Sequence, residues 1–213
     1  MTTFTAPPQP AARHGRRPLA AVIAALPLLW LPLVLAHPEF DHLSHHGVGT
    51  WLIVHFGMLA LTPPLAAALL YRLWSLTGAA AAMARFAVVA WAALFSAFDG
   101  IAGIATGTLH RHGAGDAAAV LFGDGIVGGA GSVLGFLAQP MWIVVAVATG
   151  LALRRAGAGM PAQVAMIGSL LFAAHGGPVA AVGLVALAVA LWTTRTVAQR
   201  TATGSAERVA SRD

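Results

Sequence analysis

The sequence predicts an all-α, polytopic transmembrane helix bundle of about six spans, and three observations carry that prediction. Of 213 residues, 58% are hydrophobic and 9% charged, whereas soluble domains carry about 25% charged residues. Mean hydropathy is +0.79. Apolar runs separated by short polar or Gly/Pro-rich breaks fill residues 18–200, and at about 20 apolar residues per crossing there is room for roughly five to seven spans. Finally, the 12 basic residues are all arginine and gather in tails and short loops beside those runs, as topology signals do. That placement argues against a nucleic-acid surface, although the net charge is +5. Cysteine is absent, which excludes disulfides, thiolate metal sites and cysteine nucleophiles. Any metal here must take histidine, carboxylate or backbone ligands.

Taken in order, residues 1–17 form a Pro/Ala/Thr-rich tail ending in Arg-His-Gly-Arg-Arg, too polar to fold alone and expected to be disordered. Pro18–Ala36 reads as the first span, interrupted by Pro27 and Pro32. A basic lead, an apolar core and Val34-x-Ala36 also suit a signal peptide with a cleavage site; the run is long for a signal, and a retained span is the expectation. His37–Gly49 is an outer loop. Thr50–Leu73 is the second span, with a kink expected at Pro63-Pro64, where two backbone donors are missing. Tyr71, Arg72 and Trp74 hold its inner end at the headgroups. Ala79–Leu109 makes the third span, with Arg85 near its inner end and Asp99 towards its outer end.

Residues 117–154 would stretch roughly 57 Å as one helix at 1.5 Å per residue, nearly twice the ~30 Å hydrocarbon core. A break is therefore expected at Gly123-Asp124-Gly125, leaving a short outer or re-entrant helix, Ala117–Phe122, and a long span, Ile126–Arg154, kinked by Pro140. Pro161–Ala174 and Pro178–Thr194 form a hairpin around His175-Gly-Gly-Pro178, and residues 201–213 make a disordered tail. Both termini then lie in the cytoplasm of a multi-pass protein of the inner (plasma) membrane. Only Arg111 falls in an outer loop, as the positive-inside rule requires.

This topology exposes a second asymmetry. Eight of the nine histidines, all but His14, fall on the outer side, as do Glu39, Asp41, Asp99, Asp116 and Asp124. The stretch His37–His55 alone holds five histidines and two acidic residues. His42-x-x-His45-His46 matches the five-residue HxxHH box of membrane di-iron enzymes, which use several such boxes on the cytoplasmic side; one outer box does not make that family. A divalent metal site is the simpler reading: His37, His42, His45 and His46 supply imidazoles that suit zinc or copper, and Glu39 or Asp41 can complete the shell. The alternative is a solvated histidine-rich loop.

Inside the bilayer, His55 and Asp99 are each other's best partners, because intramembrane ionisable groups are costly and face the bundle. An Asp that fixes a His tautomer serves a metal site or a proton relay, and a purely structural buried pair is the bland alternative. His55-x-Gly57 echoes His175-x-Gly177, so His55 and His175 are also candidate axial ligands of a b-type haem. His110, His112 and Asp124 are further polar candidates. Gly103-x3-Gly107, Gly125-x3-Gly129 and Gly131-x3-Gly135 read as close-packing helix faces, within the chain or in a homo-oligomer. Phosphate-loop, HExxH and GxSxG motifs are missing from the sequence.

With His37-Pro38 after the first span and Trp51-x3-His55 opening the second, the pattern resembles the uncharacterised small six-span integral membrane proteins of high-GC Gram-positive bacteria. The resemblance covers roughly residues 18–200 and implies that architecture but no particular activity. The expectation is an outer-third polar site of His55, Asp99 and His175, with the His37–His46 loop as lid or ligand donor. It would bind a metal ion (zinc or copper), haem b or a small-molecule ligand. Two other classes stay open: a proton-coupled transporter of small molecules or ions using His55 and Asp99 as relay, and a structural subunit of a membrane complex.

Overall fold

The computed structural model describes residues 16–38, 47–122 and 129–194. Among these residues every regular element is helical. Four helices are long and apolar enough to cross a membrane: Leu19–Ala36, Val48–Leu73, Ala79–Arg111 and Ala130–Arg155. Two shorter apolar helices, Met160–Ala174 and Gly177–Thr193, follow. Glu39, Asp41, His42, His45, His46 and Asp124 lie outside the described residues, as do residues 1–15 and 201–213 of the expected tails.

The first long helix is composite, with α1 (Arg16–Ala25), a 3₁₀ turn at Leu26–Trp30 and α2 (Leu31–Ala36). Pro27 and Pro32 stand at the starts of the second and third pieces. Each lacks the amide that would continue the preceding hydrogen-bond ladder, so the winding resets while the run stays helical. Trp30 and Val34 are fully buried, and the Trp30 ring meets Phe95 at 5.7 Å and Phe172 edge-on at 5.3 Å.

Helix α3 (Val48–Leu73) runs unbroken through Pro63 and Pro64. Thr62 Oγ1, just before them, donates to the Met58 carbonyl at 2.8 Å. Helix α4 (Ala79–Phe98) passes into seven residues of wider π-helix, Asp99–Ala105, and then α5 (Thr106–Arg111). Helices α6 (Gly115–Phe122) and α7 (Ala130–Arg155) bracket the predicted break, whose residues 123–128 are outside the described set. Helix α8 (Met160–Gly168) tightens into a 3₁₀ segment, Ser169–Ala174, before α9 (Gly177–Thr193).

Arginines tie the elements together at the end of the bundle where α3 stops and α4 starts. Arg72 Nη2 donates to the Ala20 carbonyl at 3.2 Å, tying α3 to α1. Arg85 Nη1 donates to the carbonyls of Leu73 and Leu76 at 3.0 and 2.9 Å, satisfying acceptors that the end of α3 leaves open. Midway, Trp91 and Trp142 pack at 4.8 Å with Phe172 edge-on to Trp142 at 5.1 Å, joining α4, α7 and the 3₁₀ segment in one aromatic core. The outer faces stay apolar: Ile53, Phe56, Phe86 and Val164 are exposed, as a surface facing lipid hydrocarbon requires.

Candidate metal centre

His37 ends the first helix because the residue before a proline is driven out of the helical region; its φ of −63° and ψ of 112° are extended. The ring turns back over α3 and stands 5.4 Å from Trp51 and 5.0 Å from His55. His55 lies two turns into α3 and is 1% exposed. Its Nδ1 donates to the Trp51 carbonyl at 2.8 Å. A carbonyl only accepts, so the proton resides on Nδ1 and the Nε2 lone pair is free, the orientation that metal-ligating histidines take.

His175 sits on the turn between the 3₁₀ segment and α9. Its φ of 66° and ψ of −41° are rare for a side-chain-bearing residue, and Gly176 N–H donates to the Ala174 carbonyl at 2.8 Å across it. This is a γ-turn of the positive-φ kind, which is strained. Residues held in such conformations cluster at functional sites. The His175 ring stands 4.8 Å from His37 and 6.2 Å from His55.

One candidate ligand atom from each of His37, His55 and His175 lies within 4.8 Å of the other two. Nε2 of His37 and of His175 is buried without a hydrogen-bond partner, a costly state for a polar atom unless something binds it. Burial pushes His37 below the ordinary imidazole pKa, with the Pro38 backbone opposing the shift. Burial also lowers His175, further still, and the neighbouring His37 and His55 add to it. Both are therefore neutral near neutral pH, the form that ligates metal.

No protein-family model, curated protein or solved structure matches this chain.

Two features let the rings meet. The His55 ring lies directly on the backbone of Gly103 in the π segment, where any Cβ would overlap it. Trp51 stacks on His55 at 4.3 Å, and its Nε1 donates to the Gly103 carbonyl at 2.7 Å. Gly107 faces Trp51 and Leu52, Gly131 faces Ala102 and Gly135 faces Phe98, so these glycines of the predicted close-packing faces meet partners within the chain. Trp51 was not among the residues the sequence singled out for the site, although its i, i+4 spacing to His55 places both on one helix face. Trp51→Phe keeps the ring but leaves the buried Gly103 carbonyl without this donor, and is expected to lower stability by ~1–2 kcal/mol. Thermal unfolding in detergent, with Trp51→Phe unchanged from wild type as the contrary outcome, checks it.

Asp99 is placed differently from expectation. It is fully buried at the start of the π segment, and neither carboxyl oxygen has a hydrogen-bond partner. No hydrogen bond joins it to His55, and His37 takes the position in the cluster that the sequence assigned to Asp99. His110, half-buried on α5, and His112, exposed in the following turn, also stand outside the cluster.

Proposed function

We propose that this chain is a multi-pass plasma-membrane protein that binds a divalent transition-metal ion, zinc or copper, through His37, His55 and His175. The observation that carries the reading is the convergence of three imidazole nitrogens within 4.8 Å of one another. Ligands about 2.1 Å from a tetrahedral ion are ~3.4 Å apart, so the rings need to draw in by about 1 Å or a little more. Three neutral imidazoles leave a fourth position open for water or a further ligand. A cavity of about 390 Å³, walled by His37, Trp51, His55 and His175 together with Gly176 and Gly177, provides the room.

Haem is the less favoured occupant. The His37 ring stands 5.0 and 4.8 Å from the other two, in the space a porphyrin plane between His55 and His175 would need. Six crossings with cytoplasmic termini remain the best topology, with the arginine end inside. The 3₁₀ stretch supports this for the fifth crossing: nine α residues and six 3₁₀ residues span about 25 Å at their respective rises, as do the 17 residues of α9.

The test is metal content and titration of protein purified without a histidine tag. Stoichiometric zinc or copper is expected, with single alanine substitutions at His37, His55 and His175 each weakening affinity by roughly 100-fold or more. A preparation that carries no metal and takes up none overturns the reading.

A further inference from the structure

Beside the histidine cluster lies a second cavity of about 230 Å³. Its walls are mainly aromatic, formed by Trp91, Phe95, Phe98, Trp142 and Phe172, and its rim includes His175. Phe98, Phe122 and His175 also wall the histidine cavity, so the two spaces meet along those three side chains. The cavity also reaches Phe136 and Gln139, both on the exposed face of α7, which faces lipid in a membrane-spanning helix. The indole N–H of Trp142 is already taken by the Ser169 carbonyl at 2.9 Å. The walls therefore offer ring faces and edges more than hydrogen bonds.

We propose that this cavity holds the apolar body of a membrane-dissolved monocyclic aromatic ligand whose single oxygen donor reaches the metal held by His37, His55 and His175. The proposal rests on the metal-binding reading for its head and on the aromatic cavity alone for its body. Size argues for one ring with a short substituent, because a cavity of about 150 Å³ accommodates benzene and this one is roughly half as large again. The lining argues for an aromatic ring, since offset and edge-to-face contacts add to simple area burial. The shared His175 edge argues for a donor on that ring, directed at the position three imidazoles leave open. Access beside Phe136 argues for delivery from the bilayer, where such a molecule partitions.

The experiment uses the full chain in detergent, loaded with cobalt(II), whose visible bands respond to its ligands. The probes are 4-ethylphenol and ethylbenzene. Both are expected to quench tryptophan fluorescence saturably, because Trp91 and Trp142 line the cavity, and only the phenol is expected to shift the cobalt bands. Ala138→Leu, which adds bulk to the wall on α7, is expected to retain cobalt uptake and to weaken both probes about tenfold or more. Should that variant fail to take up cobalt, Phe136→Ala tests the mouth instead, with the same weakening expected.

Failure to bind cobalt, with saturable quenching intact, removes the metal reading and the head contact together but leaves the aromatic site standing. Cobalt binding without saturable quenching overturns the ligand proposal alone. Quenching that neither variant changes places the probes elsewhere and also overturns it. Quenching by 4-ethylphenol with unmoved cobalt bands overturns the contact between head and metal.

Discussion

His175→Gly is expected to abolish tight metal binding and, in the metal-free protein, to raise the unfolding temperature. The two effects have separate origins in one residue. The imidazole supplies a ligand whose Nε2 is buried and unpartnered, so its removal leaves two histidines and a loss of affinity of roughly 100-fold or more. The backbone carries φ of 66° and ψ of −41°, and conformations of this kind cost of order 1–3 kcal/mol for residues with a side chain. Glycine adopts positive φ without the Cβ penalty, although its greater freedom in the unfolded chain offsets part of the gain. A net relief of about 1 kcal/mol corresponds to a rise of roughly 2–4 °C for a chain of this size. His175→Ala separates the contributions, for it loses the ligand and keeps the strained turn. The expected order of unfolding temperatures without metal is His175→Gly above His175→Ala. Equal temperatures would show that the turn stores no strain, and wild-type affinity in either variant would remove His175 from the site.

How much of this site was legible in the sequence depended on whether local chemistry or long-range packing placed each residue. His37 was legible because Pro38 ends the preceding helix whatever the surroundings. His55 was legible as a polar residue inside an apolar run, where it needs a reason to be, and the Gly-Gly-Pro sequence after His175 marked a turn that brings a side chain back to the bundle. The all-helical architecture followed from composition and the apolar runs, and the separation of α6 from α7 from length against the bilayer thickness.

Pairing His55 with Asp99 rested on the cost of leaving either ionisable group unpartnered in the bilayer. The third span winds as a π segment over Asp99–Ala105, and it is Gly103, four residues on, that meets the His55 ring. Nothing in the composition announces a wider turn there. The aromatic cavity was hidden for another reason: Trp91, Trp142 and Phe172 come from three elements far apart in the chain, and only their packing makes a wall. Of the loop histidines, His37 lies among the described residues, and it joins the cluster.

The same π segment carries the second large effect. Gly103→Ala is expected to disrupt the site as severely as removing a ligand, although it deletes no donor atom. A Cβ at Gly103 would overlap His55 at the ring atoms Cδ2 and Cγ and at Cβ, so the ring must shift against its neighbours. Trp51 stacks on it at 4.3 Å and His37 stands at 5.0 Å. Moving the helices apart instead stretches the bond from Trp51 Nε1 to the Gly103 carbonyl. Overpacking of this kind costs typically 1–3 kcal/mol, and the displaced His55 Nε2 loses its aim at the other two nitrogens. The expected result is a lower unfolding temperature with metal affinity reduced by about tenfold or more, since ligand geometry tolerates only tenths of an ångström. Gly100→Ala is the control. It lies in the same segment, yet nothing stands within 4 Å of the added atom, so helix propensity predicts no loss of stability and a gain of up to ~1 kcal/mol. If Gly103→Ala behaved like Gly100→Ala in both unfolding and metal titration, the close seating of His55 on the π segment would not be what positions the ligand. The opposite result ties the metal site to a backbone feature, and makes the wider winding of the third span the device that allows α3 to carry a histidine so near its neighbour.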